Sequence, residues 1–186
     1  MSLDPTTAYN QGVQAAVDAS SAARSLGLAA PTIIYSDMEG YHTGTPACKT
    51  AVLEYEHGWL NQMKLYEGRA AGIYGSSSGT EMQSFATGPN PPDDIWFAEW
   101  NCSDSQPCVS VWNTSFIQPT SWATQPPYGR VHQFANWPCL DQVNHSDCVL
   151  FNGTWREIDQ NCAWGLVAGK GWGQDPAFPN CPGAHP

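Results

Sequence analysis

Runs that favour helix alternate with runs that favour strand along the N-terminal half of the chain, and this alternation leaves few architectures open. Residues 8–26 are alanine-rich, carry apolar residues at helical spacing and end in Leu-Gly-Leu, where Gly27 can take a left-handed cap. Residues 32–39 follow as a β-branched and aromatic strand. The segment 47–66 is again helical, with Val52, Tyr55, Trp59, Leu60 and Met63 on one side and Gly68 as its stop, and 69–76 (RAAGIYGS) reads as the next strand. A short helix is expected over 80–85 and a third strand over 94–101 (DIWFAEWN). A fourth is expected over 130–135 (RVHQFA) and a fifth over 155–161 (WREIDQN). Strands joined through helices give an α/β fold with parallel strands, and such folds bind ligands at the carboxyl ends of the strands. Residues 102–129 lack periodicity and read as an ordered loop, and 162–186 as a Gly/Pro-rich irregular tail.

The strand at 32–39 ends in two carboxylates, Asp37 and Glu39, and is then broken by Gly40. Residues i and i+2 of a strand point to one face, so the pair is expected side by side where the strand stops. Glycoside hydrolysis needs such a pair: one carboxyl kept protonated to supply a proton to the leaving oxygen, the other ionised as nucleophile, base or stabiliser of the sugar cation. Close like charges separate the two pKa values and so help divide the roles. The competing reading is structural, because a D-x-E at a strand end also serves as a solvated turn, a helix cap or a calcium ligand.

At 186 residues the chain makes one domain, 1–186, with a sizeable core. Seven Lys and Arg against 17 Asp and Glu give a formal net charge of −10, which with no basic stripe repels phosphates and excludes nucleic acid as a partner. No apolar run approaches the length of a membrane span. The start, MSLDPTTAYNQG, lacks the basic and apolar regions of a signal peptide, so a secretion signal is expected upstream, and Met1, Ser2 and Leu3 read as a cloning remnant.

Seven cysteines fit an oxidising, extracellular or cell-envelope setting. Local staples Cys102 with Cys108, Cys139 with Cys148 and Cys162 with Cys181 are expected, leaving Cys48 buried and free or bonded elsewhere. Sequons at Asn101, Asn113, Asn144 and Asn152 mark surface loops. The absence of a C-x2-C pair speaks against zinc, and GIYGSSSG lacks the lysine of a phosphate-binding loop. No metal and no cofactor is expected.

The runs IIYSDMEGY, AAGIYGS, DDIWFAEWN, RVHQFAN and EIDQN, in this order, resemble the second part of the glycoside-hydrolase-like domain of unknown function found mainly in actinobacteria. That family is similar to the family 25 lysozymes, which have a (β/α)8 TIM barrel, and the resemblance covers residues 6–161. It implies that IIYSDME is the fourth barrel strand and EIDQN the eighth. The expected fold is therefore a TIM-barrel-like domain incomplete at its N-terminus, because a full barrel takes about 250 residues. Either the chain is part of a longer protein or it is a reduced barrel with a covered edge.

On this resemblance Glu39 is the general acid/base, Asp37 its neighbour and Asp159 the acid that closes the ring opposite Glu39. Retention of configuration is implied, with the substrate's own N-acetyl group as nucleophile. Tyr35, Tyr74, Trp100, Gln133 and Asn161 are the candidate substrate-binding residues. Aromatic faces at strand ends suit stacking on sugars, and alternation turns Gln133 inward and His132 outward. Trp59 and Trp96 are expected in the core, and Glu99 replaces Trp100 in the site if the strand parity is off by one. The expected function is hydrolysis of cell-envelope polysaccharide, peptidoglycan or a related amino-sugar glycan. The alternative is a non-catalytic carbohydrate-binding domain on the same fold. A disulfide-stapled module that recognises a protein partner is a third reading.

Overall fold

The computed structural model describes residues 1–30, 32–39, 41, 44–76, 84–85 and 88–98 and the strand segments 129–137, 148–151, 154–167 and 171–174. Helix α1 (Pro5–Ser25) starts where the Asp4 carboxylate accepts from the Thr7 backbone N–H at 2.8 Å and the Thr7 hydroxyl at 2.6 Å. Pro5 takes the first helical position, where a missing N–H costs nothing. The helix stops at Gly27, whose φ of 74° lets the Gly27 and Leu28 N–H groups return to the Arg24 and Ala23 carbonyls.

Strand β1 (Ile34–Asp37) leads through helix α2 (Pro46–Asn61), prolonged by a π-helical turn (Gln62–Tyr66), to β2 (Ala71–Ser76). Strands β3 (Asp94–Ala98) and β4 (Gly129–Trp137) continue the sheet, and β1 to β4 are parallel neighbours in sequence order. Beyond β4 the direction reverses. Strand β6 (Thr154–Val167) runs antiparallel to β4, and β5 (Cys148–Phe151) and β7 (Gly171–Gln174) both pair antiparallel to β6.

Both helices cover one face of the parallel strands. Val52, Trp59 and Leu60 of α2, with Met63 after it, pack on Ala71 and Ile73 of β2 and Ile95 and Phe97 of β3, all at most 4 % exposed. Helix α1 reaches this core through Ala16 and otherwise lies on α2, backbone against backbone. A Cβ on Gly12 would stand 2.0 Å from the Tyr55 carbonyl oxygen, and one on Gly58 2.2 Å from that of Tyr9, so only glycine admits this approach. Buried Arg69 donates to Ser20 Oγ at 2.9 Å and to the Ala29 and Leu28 carbonyls, tying the approach to β1 to the start of β2. Among the described residues no helix is long and apolar enough to cross a membrane.

The expected barrel is not formed. The sheet is open, ordered β1-β2-β3-β4-β6-β5, with β1 at one edge. The run EIDQN, expected as a further parallel strand, belongs to the antiparallel β6, so no ring of parallel strands closes among the described residues. Strands β5 and β7 go beyond the sequence expectation: the first is a short apolar run between polar loops, and the second, GWGQ, alternates glycine with other residues and reads as tail. Most of the helix expected at 80–85, nearly all of the loop at 102–129 and the four sequons lie outside the described residues. Each expected disulfide has at least one cysteine outside them, while Cys48 is a half-buried free thiol.

Candidate functional site

Alternation along β1 sorts its side chains. Ile34 and Ser36 face the helices, while Tyr35 and Asp37 face the other side of the sheet. The β1–β2 ladder runs one residue past the strand, the Met38 N–H donating to the Tyr74 carbonyl at 3.1 Å. Asp37 is thereby held between bonded neighbours, and Glu39 stands just beyond the last ladder bond. Both carboxylates are exposed at the carboxyl end of β1. At about 3.3 Å of rise per residue their Cα atoms are roughly 6.6 Å apart, within reach of a single glycosidic linkage.

Register places Tyr74 beside Asp37. Asp37 lies opposite Tyr74 of β2, which lies opposite Trp96 of β3. The Trp96 ring meets Tyr74 and Tyr35 edge-on, with centroids 4.9 Å and 5.5 Å away. The Tyr74 hydroxyl donates to Gln133 Oε1 at 2.6 Å, which sets Gln133 of β4, 3 % exposed, on this same face. Trp59 is in the helix-side core as expected, but Trp96 is not: its neighbours Ile95 and Phe97 take the core positions and turn it to the opposite face.

Tyr35 reaches further than its own strand. Its ring passes over Gly72, where a Cβ would lie 2.4 Å from two ring carbons, and its hydroxyl donates to Asp94 on β3. Tyr35, Gly72 and Asp94 occupy one row of the sheet. Burial, and then the charge and hydrogen bond of Asp94, push the Tyr35 phenol well above its ordinary range. The adjacent Asp93 serves the other side of the sheet, with Lys64 Nζ at 3.0 Å. Asp94 is absent from the residues that the sequence singles out. The available signal is Gly72, the first of two glycines in the strand run AAGIYGS, since glycine inside a strand marks a close approach by something from a neighbouring strand.

Behind β1 stands a third carboxyl. Glu56 of α2 is fully buried, accepts the Ser36 hydroxyl at 2.8 Å, and is pushed up to about 8 by burial, with the Ser36 bond opposing. It is sealed on the helix side of the sheet, away from the face that carries Asp37, and so has no path to a substrate there.

Asp159 and Asn161 lie on β6, paired with Asn136 and Gln133 of β4. The antiparallel register thus brings Asp159 to the carboxyl end of the parallel strands, but four strands away from β1. At about 4.8 Å per strand the path along the sheet is on the order of 19 Å. Trp100 and Glu99 lie outside the described residues. Among the described residues no three His, Cys, Asp or Glu side chains converge to hold a metal ion.

No curated protein and no solved structure matches the chain. Residues 3–162 match the Rv2525c-like, glycoside hydrolase-like domain family. The chain belongs to this family, and its role is a glycosidase-like or carbohydrate-related one.

Proposed function

We propose that the chain hydrolyses a polysaccharide of the cell envelope, outside the cell, with Glu39 as proton donor and Asp37 as the ionised partner. The observation that carries this reading is the pairing of two exposed carboxylates at the end of β1 with an aromatic pair on the next two strands. A sugar ring offers apolar C–H faces and a rim of hydroxyls. Tyr74, anchored on buried Gln133, and Trp96 supply rings for the first, and the exposed carboxylates of Asp37 and Glu39 supply partners for the second. Protonation of the glycosidic oxygen by Glu39 would release the leaving sugar, while the Asp37 carboxylate stabilises the positive charge on the ring or orients an N-acetyl group that attacks it. The net charge of −10 suits a neutral amino-sugar polymer better than an acidic one.

The decisive assay is release of new reducing ends from a panel of cell-wall glycans by the chain and its Glu39→Gln variant. Activity abolished in the variant is the expected result, and equal activity in both refutes the assignment. The open sheet favours one second reading, a carbohydrate-binding domain without turnover, since among the described residues no ring of strands closes around Asp37 and Glu39. Under that reading neither protein releases sugar and both bind glycan.

A further inference from the structure

Asp94 is a buried carboxylate to which the proposed chemistry gives no task. At 1 % exposure, and with the Tyr35 hydroxyl directed at it, it cannot touch a substrate. Its surroundings nevertheless make room for that contact. Tyr35 leaves β1, crosses the whole width of β2 and ends on β3, and β2 carries glycine at the crossing point, where any side chain would collide with the ring. The ring so held meets the edge of Trp96, which in turn meets Tyr74, whose hydroxyl is anchored on Gln133. A chain of contacts therefore runs from Asp94 to the residue opposite Asp37.

We propose that Asp94 is a positioning residue of the carbohydrate site: by accepting the Tyr35 hydroxyl across Gly72 it fixes Tyr35, and through Tyr35 it fixes the Trp96 ring that meets Tyr74, the residue opposite Asp37. This rests on the carbohydrate reading above. A phenol tied at its hydroxyl has lost the freedom to swing about its side-chain torsions, and the indole packed on it inherits that order. A sugar then meets rings already in place and does not have to order them on binding, which strengthens capture without any new contact. Asp94 is suited to the task because its short side chain sets an acceptor oxygen at the far edge of β2, and burial keeps water from competing for the bond.

The test labels the full chain with 5-fluorotryptophan, assigns the Trp96 resonance by Trp96→Phe, and follows that resonance and the affinity for chitooligosaccharides and soluble peptidoglycan fragments. Asp94→Ala and Tyr35→Phe each cut the tie, so each shifts and broadens the Trp96 signal and weakens binding about tenfold. The double variant is no weaker than either single one, because the two residues act as one unit. Asp94→Asn keeps an acceptor oxygen and returns both signal and affinity towards the parent, which a merely destabilised fold does not do. An unmoved Trp96 resonance in Asp94→Ala, or losses that multiply in the double variant, overturns the proposal. If the parent chain binds no glycan, the carbohydrate reading falls and takes the binding role with it, while the resonance still decides whether Asp94 holds the rings.

Discussion

Replacing Glu56 by glutamine should change how stability depends on pH, and the structure sets the sign and the scale. The Glu56 carboxyl is 0 % exposed, one oxygen takes the Ser36 hydroxyl, and the other has no partner among the described residues. Its ordinary value of 4.5 rises to about 8 in the folded chain. Between these values the folded state keeps a proton that the unfolded state has released, so stability falls as pH rises. The contribution is fully present below 4.5 and is lost by about 8. At about 1.4 kcal/mol per pH unit the loss across this window is at most about 5 kcal/mol, comparable to the whole stability of a small domain. The Glu56→Gln variant has no titrating proton at this position but sets an amide N–H2 beside groups that meet a carboxyl oxygen in the parent, costing about 1–3 kcal/mol at every pH. The parent is therefore the more stable protein at the acid end of the window and the variant at the alkaline end. Urea midpoints for both proteins across the window from 4.5 to 8 test this, other groups cancelling in the difference. Two curves that stay parallel would refute a buried neutral Glu56.

Gly58→Ala puts a methyl carbon 2.2 Å from the Tyr9 carbonyl oxygen and forces α1 away from α2, so a loss of about 2–3 kcal/mol and a melting temperature lower by several degrees are expected. An unchanged melting temperature would mean that the helices are not in backbone contact. Arg69→Met keeps the buried stem but removes donors from Ser20 and from the Ala29 and Leu28 carbonyls, for a cost of about 3 kcal/mol in denaturant unfolding. A cost within experimental error would show that water replaces the guanidinium there.

Much of the parallel half is legible in the sequence because its signals are local. Gly27 and Gly68 do stop helical segments, both with positive φ, and apolar spacing picks the face of α2 that carries Val52, Trp59 and Leu60. The D-x-E falls at the end of β1 because a β-branched run followed by glycine is a local pattern too. Strand direction is not local. The run WREIDQN alternates identically whether it runs with or against β4, and only the pairing of Gln133 with Asn161 and Asn136 with Asp159 reveals that it runs against. Barrel closure, expected from a resemblance, fails for the same reason. The Tyr35–Asp94 contact joins β1 to β3 across an intervening strand, and such contacts become visible only once register is known.

The order of strands also bears on how the chain acquires its structure. From β1 to β4 each strand lies against the one that precedes it in sequence, so the emerging chain can extend the sheet one strand at a time, with α2 already covering the first pair. Strand β6 breaks this order by passing β5 to join β4, and among the described residues β5 and β7 pair with β6 alone. Contacts of short sequence separation form fastest. The shortest separations in the sheet are those of β5 with β6 and β6 with β7, so the antiparallel half forms as a local unit that joins the parallel half along β4.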